Sequence, residues 1–348
     1  MRLITIITLL LFISSAFGVE VFQFTNIIVD RDNNVIHRFK PNSELFLFEN
    51  EMVLAQHGDS TYYYDLFGNV KWKRKLDIHH HATYDSEKNE IWALTFDVRR
   101  YNKRRVAFDS ILILDPESGA TKREYPLFNL LTKIKKHAQN SELENKNKAL
   151  NTMIDLDERL QGKAEHVYLN TNYFQMITAD NQDNKSIVFK EGNIVVSFNL
   201  IDVFMVVNPS FSKILWTSSK KSVLQQHTPT YTKNGKFLVY DNGLNKKREQ
   251  SRIVILDVNT NKYKKIYPLK KKDEFYSELS GGAFYTKKGT IVFNNPSKES
   301  NNIIEIDSSG KVLWRYDFQS GENGYRVNPV EISKKTYRSL LRQEKIKQ

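Results

Sequence analysis

The chain has 348 residues, with 52 lysines and arginines against 40 aspartates and glutamates, a formal net charge of +12. It holds no cysteine, which excludes disulfide scaffolds, cysteine-ligated zinc, iron–sulfur clusters and a cysteine nucleophile. With 40% hydrophobic and 12% aromatic residues it is no disordered tail, and its basic segments lack the aromatic interleaving of a nucleic-acid groove.

Met1 and Arg2 precede an apolar run from Leu3 to Ile13, and small residues follow at Ala16 and Gly18. A short basic start, an apolar centre and a small-residue cleavage site describe a secretory leader over residues 1–18. The run falls short of the ~20 residues that a permanent membrane span needs. The expectation is an exported protein, periplasmic or extracellular, with no membrane span and one domain over residues 19–348.

Within that domain one phrase recurs six times: a β-rich run, an Asp or Asn, a short turn, then a second apolar or aromatic strand. The copies end at Asp30, Asp65, Asp115, Asn208, Asp257 and Asp307. Trp72, Trp216 and Trp314 lie on three of the return strands, and Tyr125 and Tyr267, each followed by Pro, on two others. Asp and Asn open hairpin turns because they tolerate the turn's backbone geometry and hydrogen-bond to it. Second hairpins precede most copies, with turns at Lys88-Asn89, Glu191-Gly192, Asn234-Gly235 and Lys288-Gly289. The steps between copies are 35, 50, 93, 49 and 50 residues. About 50 residues per four-stranded unit is the period of a propeller blade. The fold class expected is all-β, a single six-bladed β-propeller.

The long step is one blade plus an insertion at about 129–162, where Leu150, Met153, Ile154 and Leu160 fall on one helical face. The end of the chain, about 332–348, reads as a basic helix.

Function in a propeller is sought where the blade entrances converge. His81 lies ten residues before Ile91, and His227 lies ten before Phe237. The last unit has Gly281 at that offset, which reads as freedom from a structural requirement. Two convergent imidazoles suit nucleophilic catalysis, acid–base catalysis or metal binding, since a neutral ring is available near its ordinary pKa of about 6.5. Metal is the weaker option: catalytic zinc takes three protein ligands, although the run His79-His80-His81 could hold a metal loosely. His166 lies near a blade entrance. Arg252, after Ser251, could clamp a sulfate or phosphate or form a surface ion pair. Nucleotide-binding and common hydrolase motifs are absent, and no cofactor is expected.

The stretch Phe189–Ser197, with Gln226-His227-Thr228-Pro229, Asn234-Gly235, Asp241-Asn242-Gly243 and Ser251-Arg252, resembles the arylsulfotransferase family. His80-His81 resembles that family's His-His-Asp. The resemblance implies an exported bacterial six-bladed propeller that moves a sulfuryl group from an aryl sulfate donor to a phenolic acceptor through a histidine, without a nucleotide donor. By resemblance His227 matches the histidine that becomes sulfated and His81 a second channel histidine, with Arg252 joining them in catalysis. His80, Asn170, Asn199 and His166 are expected to touch substrate. Two positions depart from the family pattern. Its His-Thr-Asn is here Asn170-Thr171-Asn172, and its Ser-Leu-Arg-Asn is Ser197-Phe198-Asn199-Leu200, which places Asn199 where an arginine is expected. A propeller that binds a ligand or partner without turnover is the alternative reading.

Overall fold

Every Asp or Asn that ends a repeat phrase accepts backbone N–H groups from its own turn. Asp30 Oδ1 takes those of Asp32 and Asn34, Asp65 Oδ1 those of Phe67 and Asn69, and Asp307 Oδ1 those of Ser309 and Lys311, all within 3.0 Å. Asp257 and Asp115 do the same, and Asn208 Oδ1 accepts from Lys213 N. This chemistry is local, so the residues of the turn itself favour its geometry.

A computed structural model describes residues 19–24, 26–39, 44–137, 160–178, 186–218, 223–232, 235–243, 250–270, 275–277, 280–296, 301–319 and 327–347. Its strands form six blades. Blade two is β4 (Glu44–Leu47), β5 (Met52–His57), β6 (Ser60–Asp65) and β7 (Val70–Arg74). Blade three is β8 (Ile78–Asp85), β9 (Glu90–Tyr101), β10 (Arg104–Leu114) and β11 (Thr121–Pro126). After it come α1 (Leu131–His137) and β12 (His166–Val167), which pairs in parallel with β10. Blade four is β13 (Thr171–Met176), β14 (Ile194–Phe198), β15 (Val203–Val207) and β16 (Ile214–Thr217). Blade five is β17 (His227–Thr232), β18 (Lys236–Asp241), β19 (Arg252–Asp257) and β20 (Tyr263–Tyr267). Blade six is β21 (Ala283–Tyr285), β22 (Ile291–Pro296), β23 (Asn301–Ile306) and β24 (Val312–Asp317).

Blade one is built from both parts of the chain. β25 (Val327–Ile332) pairs with β1 (Val19–Phe24), and β2 (Ile27–Val29) and β3 (Val35–Arg38) complete the sheet. The pairing runs from Val19↔Ile332 to Phe24↔Val327 and closes the ring, so blade one gains its inner strand without leaving an open edge.

Neighbouring blades pack through the return-strand aromatics. Trp72 on β7 donates its indole N–H to Pro116 O of the next blade at 3.0 Å, and Trp216 on β16 donates to Val258 O at 3.2 Å. Trp216 also stacks on the fully buried Phe237, with ring centroids 5.6 Å apart. Burying one such aromatic contributes about 1.5–3 kcal/mol, and its N–H keeps a partner inside the wall.

The helix expected at the end of the chain is α2 (Lys334–Lys347). Ser333 Oγ caps it by accepting from Thr336 N at 3.1 Å, and Tyr337 donates its hydroxyl to Asp30 Oδ2 at 2.7 Å. Leu340 packs into the core of blades one and two. Within the expected helical insertion the structure describes α1 at its start and residues 160–162 at its end; residues 138–159, and the expected leader at 1–18, lie outside the described residues. No helix among the described residues is long and apolar enough to cross a membrane.

Candidate functional site

The inner strands β4, β8, β13, β17, β21 and β25 all contribute to the wall of a cavity of about 610 Å³. His80 and His81 enter it from β8, Asn172 and Tyr173 from β13, and His227 from the first position of β17. The structure thus brings His80, His81 and His227 to one cavity. The equal chain offset of His81 and His227 is not an equal ladder position. Tyr84 faces Ile91 and Tyr231 faces Phe237, which leaves His81 three residues and His227 four residues before those partners. A bulge interrupts each strand there, between Ile78 and Ala82 in β8 and between His227 and Thr230 in β17.

His227 is held by residues of the Gln-His, Asp-Asn-Gly and Ser-Arg segments. The side chain of Gln226 reaches into blade four, where its Nε2 donates to Val203 O at 3.0 Å and Ser197 Oγ at 3.2 Å. The backbone carbonyl of Gln226 accepts from Asn172 Nδ2 at 2.8 Å and from Asn199 Nδ2 at 3.4 Å. Asp241 accepts Leu224 N, and Ser251 Oγ donates to Asn242 O at 3.0 Å. Asn242 Nδ2 donates to Ser277 O at 3.1 Å and Ser280 O at 2.8 Å, which turns Asn242 Oδ1 toward His227 Nδ1 at 2.8 Å. An amide oxygen is only an acceptor, so Nδ1 of a neutral His227 carries the proton and Nε2 carries the lone pair.

His81 packs its ring against Tyr173, with centroids 4.4 Å apart, and against Phe174 at 5.0 Å. Burial pushes the Tyr173 hydroxyl up to about 12 despite its contact with Thr230, so this phenol stays neutral near pH 7. His80 has a left-handed φ of 57°, and its backbone N–H donates to Glu44 Oε2 of blade two at 2.7 Å.

The other sequence candidates lie outside the cavity wall. Arg252 donates to Asp241 Oδ2 through Nε at 3.0 Å and Nη2 at 2.5 Å, and its guanidinium lies 4.3 Å from the Tyr263 ring. Burial opposes its charge, but Asp241 and Tyr263 outweigh burial and hold the guanidinium above its ordinary value. His166 is on β12, with Nε2 2.6 Å from Arg104 Nη1. Asn170 is buried at φ 48°, and its carbonyl accepts Asn199 N at 3.2 Å. The Asn199 side chain donates to Gln225 O at 2.9 Å. Asn199 and Asn170 therefore brace the chain before His227 instead of facing the cavity.

Three residues given no role of their own in the sequence matter at this site. Asn242 sets the tautomer of His227. Asn172 lines the cavity with its Oδ1 buried and without a hydrogen bond. Asp109 is a buried carboxylate that, with Ser110, interrupts the apolar run of β10, a signal visible in the sequence. Among the described residues no group of three His, Cys, Asp or Glu is placed to hold a metal ion.

Fold and site together define a six-bladed propeller with a histidine-lined central cavity. Residues 183–319 match the arylsulfotransferase (ASST) family, so the resemblance seen in the sequence holds over that stretch. The match takes in His227, Asn242 and Arg252 and stops short of His80, His81 and Asn170. No curated protein matches the chain. Among solved structures, the chain is similar to a protein of unknown function from Bacteroides caccae at 11% identity, covering 90% of this chain and 99% of that one, with a TM-score of 0.55. It also overlaps BamB from Moraxella catarrhalis, at 9% identity over 87% and 86% of the two chains with a TM-score of 0.36. At these identities the first likeness speaks to the fold alone, and the second carries no argument.

Proposed function

We propose that the protein transfers a sulfuryl group from an aryl sulfate ester to a phenol through a covalent intermediate on His227. The observation that carries this reading is the pair Asn242–His227: a fixed amide oxygen at Nδ1 leaves the nucleophilic lone pair on Nε2. In the first half-reaction Nε2 attacks sulfur, the N–S bond forms and the aryl S–O bond breaks. In the second a phenol oxygen attacks the same sulfur and the electron pair returns to Nε2. The family match over residues 183–319 supports the reaction class. Export through the leader at 1–18, to the periplasm or outside the cell, belongs to the same proposal.

One observation favours the alternative of a propeller that binds without turnover. Among the described residues the cavity wall carries a single lysine, Lys88, and no arginine, so charge developing on the sulfuryl oxygens meets imidazoles and amides instead of a guanidinium.

The test is incubation of the mature protein with p-nitrophenyl sulfate, with and without a phenol, following nitrophenolate by absorbance and the protein by intact mass. Acceptor-dependent release with a transient sulfuryl adduct on His227 is expected. Absence of both over a range of pH and acceptors makes the binding propeller the better account.

A further inference from the structure

His79 is fully buried between Phe96, whose ring is stacked at 3.9 Å, and Asp109, itself 1% exposed. Its Nε2 stands 3.3 Å from Asp109 Oδ1, off the line of a hydrogen bond and with no other partner. The second oxygen of Asp109 is taken by the backbone N–H of Thr171 at 2.7 Å. On its other side, His79 Nδ1 lies 2.8 Å from Nδ1 of His80, and His80 lines the cavity. A buried carboxylate oxygen repels a nitrogen lone pair and attracts an N–H, so the His79 proton sits on Nε2. Its Nδ1 is then an acceptor, and His80 must donate from Nδ1. That leaves the Nε2 of His80 with the lone pair.

We propose that Asp109, His79 and His80 form a proton-holding chain ending in the cavity, with His80 as the acid and base that serves sulfuryl transfer at His227. This rests on the sulfuryl-transfer reading. Protonated at Nε2, His80 gives its proton to the departing phenolate as the N–S bond forms on His227. Neutral again, it takes the proton of the attacking phenol as that N–S bond breaks, so the cycle closes without a net proton. Asp109 and His79 are positioning residues: they fix the His80 tautomer and stabilise its imidazolium through the shared hydrogen bond. Among the described residues, Glu44 from β4 and His81 on β8 are further titratable groups beside His80. The Glu44 carboxylate grips the His80 backbone and holds its left-handed conformation.

Two measurements test the chain. The first is ¹⁵N spectroscopy of histidine-labelled protein. It should show His79 protonated at Nε2 and His80 at Nδ1, with Asp109→Asn disturbing both, although Asn can still accept the Thr171 N–H. A His79 protonated at Nδ1 in the wild type overturns the proposal. The second is turnover on aryl sulfates whose leaving phenols run from acidic, p-nitrophenol, to weakly acidic, phenol itself. For His80→Gln the loss should grow from slight to about 10²-fold or more along that series, the range general acid catalysis supplies. His79→Gln should follow the same trend less steeply, with its melting temperature showing that it folds. An equal loss across the series overturns the acid role. If wild-type His227 is never sulfated, the transfer reading fails by itself, while the spectra still decide whether the chain exists.

Discussion

Asn242 Oδ1 stands 2.8 Å from His227 Nδ1, and the other end of the same amide is fixed by the carbonyls of Ser277 and Ser280. The oxygen cannot be exchanged for the nitrogen without losing both carbonyl bonds, so the tautomer of His227 is set from the connection between blades five and six. Asn242→Leu removes the acceptor and both donors. Turnover should fall on the order of 10²-fold, the cost of a misplaced or mis-tautomerised reactive group, with the intact-mass adduct forming correspondingly slowly. An unchanged adduct rate would remove Asn242 from the mechanism.

The same argument separates His227 from its supports. Its ring is at the cavity wall, half-buried, whereas Gln226 is fully buried and bridges to blade four. His227→Ala should therefore abolish turnover while moving the melting temperature by no more than about 2–4 °C. Gln226→Ala leaves the Val203 carbonyl without this donor and opens a void, so it should lower the melting temperature further. Thermal unfolding of the two variants side by side checks the division.

Arg252 is the candidate whose role the structure redirects most. Asp241 is completely buried, and Arg252 is the cation that meets it, at 2.5 Å. Arg252→Gln takes a guanidinium away from that buried carboxylate, which costs about 3–5 kcal/mol for a buried pair broken on one side. The expected signature is a large drop in the urea midpoint. A stable Arg252→Gln with a raised KM would instead mark a substrate clamp.

The contrast shows which parts of the molecule were legible in the chain. Asp30, Asp65, Asp115, Asn208, Asp257 and Asp307 could be read because a turn is made by its own side chain within four or five residues. The closure of blade one could not, since Val19 and Ile332 meet only after the whole ring has formed. His227 stands out in sequence by its offset and by its motif neighbours, but the offset that pairs it with His81 is accidental, because the two strands bulge differently. Arg252 belongs to the Ser-Arg motif, yet its side-chain direction depends on Asp241, its cross-strand partner eleven positions away, a pairing that motif spacing does not reveal. Asp109 on β10 and His79 on β8 meet across the intervening β9, a juxtaposition that depends on two strand registers and the bulge in β8.

The turn aspartates give the protein a defined acid response. Hydrogen bonds from Ser118 hold the Asp115 carboxyl below its ordinary value of 3.8, and those from Ser309 do the same at Asp307. At Asp65 burial pushes upward, but the bonds from Asn69 and Phe67 win and the carboxyl is again held low. A carboxyl whose folded value is depressed adds stability above its unfolded value and loses it as pH falls through the folded value. The loss therefore falls below about pH 4. Asn208 shows that an amide can make the same turn. The triple variant Asp65→Asn, Asp115→Asn, Asp307→Asn should keep its fold at neutral pH and show a flatter fall of the melting temperature below pH 4 than the wild type. Parallel curves would mean that acid lability lies elsewhere.

Gly281 occupies, by chain count, the offset of the two cavity histidines, and its freedom from a side chain looked like tolerance. The contact says otherwise. A Cβ at Gly281 would lie 2.5 Å from two atoms of the Tyr240 ring, and that ring is fully buried with its hydroxyl donating to Asn294 O at 3.1 Å. Tyr240 cannot swing aside without breaking that bond and disturbing Phe275, whose centroid is 5.3 Å away. Gly281→Ala should cost about 1–3 kcal/mol by overpacking, seen as a lower urea midpoint. Tyr240→Leu in the same chain shortens the obstructing group, so the double variant should lose less than the sum of the two single changes. Strict additivity would place the constraint on Gly281 in its backbone and not in the ring above it.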